Sequence, residues 1–148
     1  MQHADPFAAV PDRDALDALL RARGISPTRQ RMEIAQVIFS SCGHLSADRI
    51  LALVNERSNA TSKATVYNTL NLFLEKKLVR DVIVDPQKVF YDGNTVPHHH
   101  FYNVDTGELT DIDASDIAVT GLPPLPAGLE AERVDIVVRV RSAATDCR

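Results

Sequence analysis

The chain has 148 residues, 45% of them hydrophobic, and a formal net charge of −4, which suffices for one ordinary domain or two small ones, each with a buried core. No apolar run approaches the roughly 20 residues of a membrane span, and Met1-Gln2-His3-Ala4-Asp5-Pro6 has neither a basic patch nor an apolar leader core, so a cytoplasmic protein without membrane attachment is expected. Cys42 and Cys147 are the only cysteines and lie far apart, which excludes a disulfide framework and a Cys-x-x-Cys metal clip and fits a reducing compartment.

The charge is unevenly spread. Residues 1–92 hold 12 Lys+Arg and 11 Asp+Glu (net +1), residues 93–148 hold 4 and 9 (net −5), and the window 18–80 holds 10 and 4 (net +6). A local basic surface suits a polyanionic partner even in an acidic chain.

Residues 1–11 are rich in Pro, Ala and Asp and are expected to form a flexible arm. From Asp12 the apolar positions Leu16, Leu19 and Leu20 predict a first helix that stops at Arg23-Gly24, with glycine as the left-handed terminator. Thr28 is the expected N-cap of a second helix with Ile34, Ala35, Ile38 and Phe39 on its core face. Arg29 and Arg31 stand in its first turn, where the helix dipole favours acids, and this points to phosphate contact. Ser41-Cys42-Gly43-His44-Leu45 breaks the pattern, and Ser46 caps a third helix through Ile50, Leu51, Leu53 and Val54.

After the polar turn Ser58-Asn59-Ala60-Thr61-Ser62 comes the stretch around which the rest is organised, residues 63–74. Val66, Leu70, Phe73 and Leu74 repeat at helical spacing and form its buried stripe. Ala64, Asn68, Asn71 and Glu75 then fall on the opposite side, with Thr65 and Tyr67 on the flanks. Asn pairs bidentately with adenine, and Thr and Tyr meet a thymine methyl or a phosphate, so this face is expected to read double-stranded DNA, with Lys63 at its start on a phosphate. Leu78 to Val84 and Lys88 to Tyr91 are strand-like runs joined by Asp85-Pro86-Gln87, a hairpin. Helices closed by such a hairpin describe a winged helix-turn-helix, whose wing touches the flanking backbone.

Residues 93–97 read as a hinge. Beyond it come a strand around Phe101 to Val104, a turn at Asp105-Thr106-Gly107, a strand around Leu109 to Ile112, an acidic helical turn near Ala114 to Val119, a loop with Pro123, Pro124 and Pro126, and a third strand over Arg133 to Arg141, before a loose tail. The fold class is therefore α+β: an N-terminal winged helix-turn-helix domain over 12–92 and a small C-terminal α/β dimerisation and ligand-sensing domain over 98–148. Three strands in about 50 residues rarely stand alone, so a homodimer is expected.

Three of the five histidines are consecutive, His98-His99-His100. Period-two geometry sends His98 and His100 to one face, a chelating pair, and His99 to the other. His44, in the break after the second helix, and Asp92, just before the hinge, could complete a two-domain metal site. No positioned general base or nucleophile with an orienting partner accompanies the cluster, so an enzyme is not expected.

Arg23 to Arg31, His44-Leu45-Ser46-Ala47-Asp48, Ala64 to Leu70, and Val89-Phe90-Tyr91-Asp92 through His98-His99-His100 resemble the ferric uptake regulator family over about residues 12–141. The triple histidine followed by Phe101 to Leu109 is similar to its iron response regulator branch, whose members sense haem. The resemblance implies a homodimeric transcription factor, a repressor of iron and haem genes active when iron is scarce and released from DNA by haem at His98, His99 and His100. The family's interdomain metal site maps onto His44, His98 and His100, with Asp92 or Tyr91 at the acidic position, while His99 falls where a carboxylate is more usual. The Cys-x-x-Cys of typical members is replaced by Asn103 and Thr106, so no structural four-cysteine zinc is expected. The amino-terminal Cys-Pro haem motif of some branch members is also missing, since no Cys precedes Cys42. The other regulatory reading is a repressor with Fe2+, Mn2+ or Zn2+ as co-repressor, without haem.

Overall fold

The computed structural model describes residues 11–41, 44–57 and 61–144. Residues 1–10 of the expected arm, Cys42 and Gly43, Ser58-Asn59-Ala60 of the polar turn, and residues 145–148 with Cys147 lie outside the described residues. The chain forms two compact units, one ending at Thr95 and the other beginning at Val96.

The first unit runs α1 (Arg13–Ala22), α2 (Arg29–Ser40), β1 (Leu45–Ser46), α3 (Ala47–Arg57), α4 (Lys63–Glu75), β2 (Arg80–Asp85) and β3 (Lys88–Asp92). Short polar side chains start the helices by accepting otherwise unpaired backbone N–H groups: Asp12 from Ala15, Thr28 from Arg31, Ser46 from Arg49 and Ser62 from Thr65. At the end of α1, Gly24 turns left-handed (φ +73°), and the Ile25 and Gly24 amides donate to the carbonyls of Leu20 and Arg21 at 2.9 and 3.0 Å. The same closure ends α4, but with Lys77 in the left-handed position (φ 58°). A side chain there costs about 1 kcal/mol, offset because the turn delivers Leu78 and Val79 into the core, each 3% exposed.

That core takes Leu16 and Leu20 from α1, Ile34 and Ile38 from α2, Ile50 and Val54 from α3, and Val66, Leu70 and Phe73 from α4. Each fully buried side chain of this kind contributes roughly 1.5–3 kcal/mol. The expected stripes are there, with Leu19, Leu51, Leu53 and Leu74 only partly buried and Thr69 buried in addition. The sheet has the order β1-β3-β2, all antiparallel, with Leu45 opposite Tyr91 and Asp81 opposite Tyr91 on the other side. The hairpin is readable in the sequence but β1 is not, since two residues are too short to show a period.

The second unit contains β4 (His98–Asn103), β5 (Leu109–Asp113), a 3-10 turn (Ala114–Asp116) and β6 (Val137–Val140) in the order β5-β4-β6. β5 is antiparallel to β4, and β6 is parallel to it. β4 starts three residues before the expected Phe101, so the histidines belong to the strand. The helical turn is shorter than expected, ending at Asp116, and the last strand shrinks to four residues. Among the described residues of this unit, only Tyr102 and Ile112 are buried hydrophobic side chains. No helix among the described residues is long and apolar enough to cross a membrane.

Candidate metal-binding and DNA-reading sites

α4 is positioned by its cap and by its apolar face. Ser62 accepts the Thr65 amide at 3.1 Å, and the two hydroxyls lie 2.9 Å apart. Thr65 is thereby half-buried and committed to the cap rather than fully presented on the flank. Tyr67 and Asn68 are exposed beside and opposite the buried Val66 and Leu70. The Lys63 ammonium sits 5.8 Å from the Tyr67 ring centroid and 3.9 Å from an Asp48 carboxylate oxygen. With Lys63 and Asp48 side chains 67% and 77% exposed, this pair holds little energy and yields easily to a phosphate.

The two arginines of α2 have partners within the protein. Arg29 pairs with Glu33 one turn on at 3.1 Å, and Arg31 donates to the Ser26 carbonyl at 3.0 Å. Arg29 remains 79% exposed.

In the first unit a histidine and a carboxylate face each other. Continuing the β1–β3 register by one residue sets His44 opposite Asp92, and their Nε2 and Oδ2 atoms are 3.1 Å apart, with side chains only 9% and 12% exposed. The other Asp92 oxygen accepts the Asn94 amide at 2.9 Å, which fixes the carboxylate. Gly93 lies between them because a Cβ there would come within 2.7 Å of the Phe39 ring. Tyr91, the alternative acid, is a buried phenol held above its usual pKa by desolvation first, then by Tyr67 and Asp81, so it stays neutral.

In the second unit, strand alternation brings His98 and His100 together, 6% and 3% exposed, with ring centroids 4.6 Å apart. Asp111, opposite His100 across β5, brings one oxygen within 3.7 Å of His98 Nε2 and 3.3 Å of His100 Nε2. The tautomer of His98 follows from its neighbour. Its Nδ1 is 2.6 Å from the Val96 carbonyl, which can only accept, so Nδ1 carries the proton and the Nε2 of a neutral ring keeps its lone pair. A proton on Nε2 or a cation between the two satisfies the pair with the Asp111 carboxylate. Two imidazole nitrogens and a carboxylate suit Zn2+, Mn2+ or Fe2+.

His99 lies on the other face. Its Nδ1 accepts the Ile136 amide at 3.2 Å, leaving the proton on Nε2, so a neutral His99 ligates iron only by giving up that bond or its last ring proton. Asp111 is a donor that strand periodicity alone does not single out. Its signal is the hairpin register, which pairs it with His100 once the turn is counted correctly.

The turn after β4 is held by side-chain acceptors. Asn103 Oδ1 accepts the amides of Asp105 and Thr106 at 2.9 and 3.2 Å, and Thr106 Oγ1 accepts that of Glu108 at 3.3 Å. Asp105 in turn accepts the Ser142 amide at 2.9 Å, tying the chain beyond β6 to this turn.

The Ferric uptake regulator family profile matches residues 22–122 of the chain. The peroxide-responsive repressor PerR of Staphylococcus epidermidis is 31% identical over 94 residues, 64% of this chain and 63% of that protein. The PerR of Staphylococcus aureus strain Mu50 is 32% identical over the same length. The chain thus spans a little under two thirds of these relatives. Among solved structures, the Pseudomonas aeruginosa ferric uptake regulator with manganese aligns with TM-score 0.64 at 24% identity, over 85% of this chain and 96% of that one. The Helicobacter pylori regulator Fur, described as having three functional metal-binding sites, aligns with TM-score 0.65 at 15% identity over 90% and 93%. At such identities these two structures support the fold.

Proposed function

The chain belongs to the ferric uptake regulator family, and we propose that it is a DNA-binding transcriptional repressor whose hold on its operator is set by a divalent metal ion. The observation that carries this reading is the convergence of His98 Nε2 and His100 Nε2 on one Asp111 carboxylate oxygen, at 3.7 and 3.3 Å. His98, His100 and Asp111 are the assigned ligands in the second unit, and His44 with Asp92 is a separate candidate donor pair in the first. The ion would bring positive charge to a carboxylate and two imidazole nitrogens that already converge. The two imidazoles of β4 are held nearly dehydrated, while the Asp111 side chain remains 51% exposed.

On the DNA side, Tyr67 and Asn68 read base edges or the thymine methyl, while Arg29, Arg31 and Lys63 meet phosphates. Thr65 acts through the cap that orients the start of α4. A homodimer supplies the two recognition helices, and the scarcity of buried apolar side chains in the second unit supports it.

Haem at His98, His99 and His100 is the other reading, drawn from the resemblance to iron response regulators. It has less support. The first and last of these rings are buried, so a macrocycle reaches their nitrogens only if what covers that face of the strand moves aside, and His99 is engaged with Ile136. The solved relative described above carries manganese. Titrating the purified chain with Mn2+, Zn2+, Fe2+ and haem while following operator binding separates the readings. Metal-strengthened binding supports the ion, and release by haem from a metal-free complex would replace it.

A further inference from the structure

Side chains from two helices meet at the exposed start of α4. The Lys63 ammonium, near the Tyr67 ring one helical turn on, also approaches the carboxylate of Asp48 in the first turn of α3, at 5.8 and 3.9 Å respectively. An acid at this place runs against the surface around it, since the window 18–80 carries 10 Lys+Arg and 4 Asp+Glu. A carboxylate beside a lysine that faces phosphates weakens the attraction for every duplex alike.

We propose that Asp48 is a positioning residue for sequence reading: its carboxylate draws the Lys63 ammonium toward the Tyr67 ring, and the cation holds that ring in the orientation in which it meets a base. The proposal rests on the reading of α4 as the DNA-recognition helix and names what orients its exposed tyrosine. Exposed side chains exchange rotamers within picoseconds to nanoseconds, and fixing one in advance lowers the entropy lost when a base is engaged. A cation–π contact at an exposed site favours one arrangement about two- to fivefold. An ammonium carries three N–H donors, so Lys63 can give one to a phosphate and keep another on the carboxylate. Asp48 thereby weakens the hold on any duplex and sharpens the preference for the one whose bases Tyr67 meets.

The test takes the duplex that the full chain selects from a random-sequence pool, with Mn2+ or with chelator present, and compares it at fixed ionic strength with a shuffled duplex of the same length and composition. Asp48→Asn is expected to bind the shuffled duplex more tightly, because a negative charge leaves the DNA face. It is expected to lower the ratio of selected to shuffled affinity about four- to 25-fold, two- to fivefold for each of two recognition helices. An acid in the first turn of a helix also stabilises that helix, and the same substitution in Tyr67→Ala separates the two roles. Without the ring the ratio should not change further, whereas loss of a purely structural acid lowers it in both backgrounds. An unchanged or higher ratio with Tyr67 present, or an equal fall in both backgrounds, overturns the positioning role and leaves DNA recognition by α4 standing. A wild-type chain that selects no sequence overturns that recognition and the positioning role together.

Discussion

Asp111 and His100 stand opposite each other across β4 and β5, with carboxylate oxygen and Nε2 3.3 Å apart. Because the same oxygen also faces His98 Nε2 at 3.7 Å, the fold concentrates acceptors where a cation belongs. Asp111→Asn should weaken divalent metal binding by tenfold or more, about 1.4 kcal/mol. It should also shrink the rise in Tm that saturating metal produces. Calorimetric titration and thermal melts with and without Mn2+ measure both. Unchanged affinity would remove Asp111 from the ligand set.

Tyr67 and Asn68 are exposed on a helix whose opposite side is the core. Alanine at either position should cost about 1–3 kcal/mol of operator affinity and leave stability within about 0.5 kcal/mol. Parallel losses in melting and in binding would make them structural residues.

The cations give a different signature. Neutralising Arg29, Arg31 or Lys63 should flatten the dependence of log K on log salt by about 0.9 for each phosphate that is no longer neutralised. Arg31 should also cost some stability, because its guanidinium holds the Ser26 carbonyl. A slope that does not move returns that side chain to the solvated surface.

Much of the first unit was legible because its signals are local. Thr28 and Ser46 announce helix starts by their chemistry, and the Val66, Leu70 and Phe73 stripe needs only the helical period. The HxH pair was legible for the same reason, since alternation alone puts His98 and His100 together. What escaped was set by pairing between segments. The two-residue strand β1 exists only because β3 is there to receive it, and Asp111 becomes a donor only through the register of β5 on β4. The turn at Asp105-Thr106-Gly107 was legible in its residues, but not the hydrogen bonds by which Asn103 Oδ1 holds it.

Gly93 connects packing to the site in the first unit. A methyl group there meets Phe39 at 2.7 Å, so Gly93→Ala should cost about 1–3 kcal/mol through overpacking and displace Asp92 from His44. Chemical denaturation and metal titration of the same variant test the two effects. A stable variant with normal metal binding would show that the ring yields without cost.

The central claim is that a metal at the histidine and aspartate donors controls operator binding. Its most direct measurement is operator affinity at fixed ionic strength, with chelator and then with saturating Mn2+, Zn2+ or Fe2+, for the wild-type chain and for His98→Ala with His100→Ala. Metal is predicted to raise wild-type affinity by roughly five- to 150-fold, the usual range of coupling between two sites, and to leave the double variant at the chelated value. Equal wild-type affinity with and without metal, or a double variant that still responds, would contradict it.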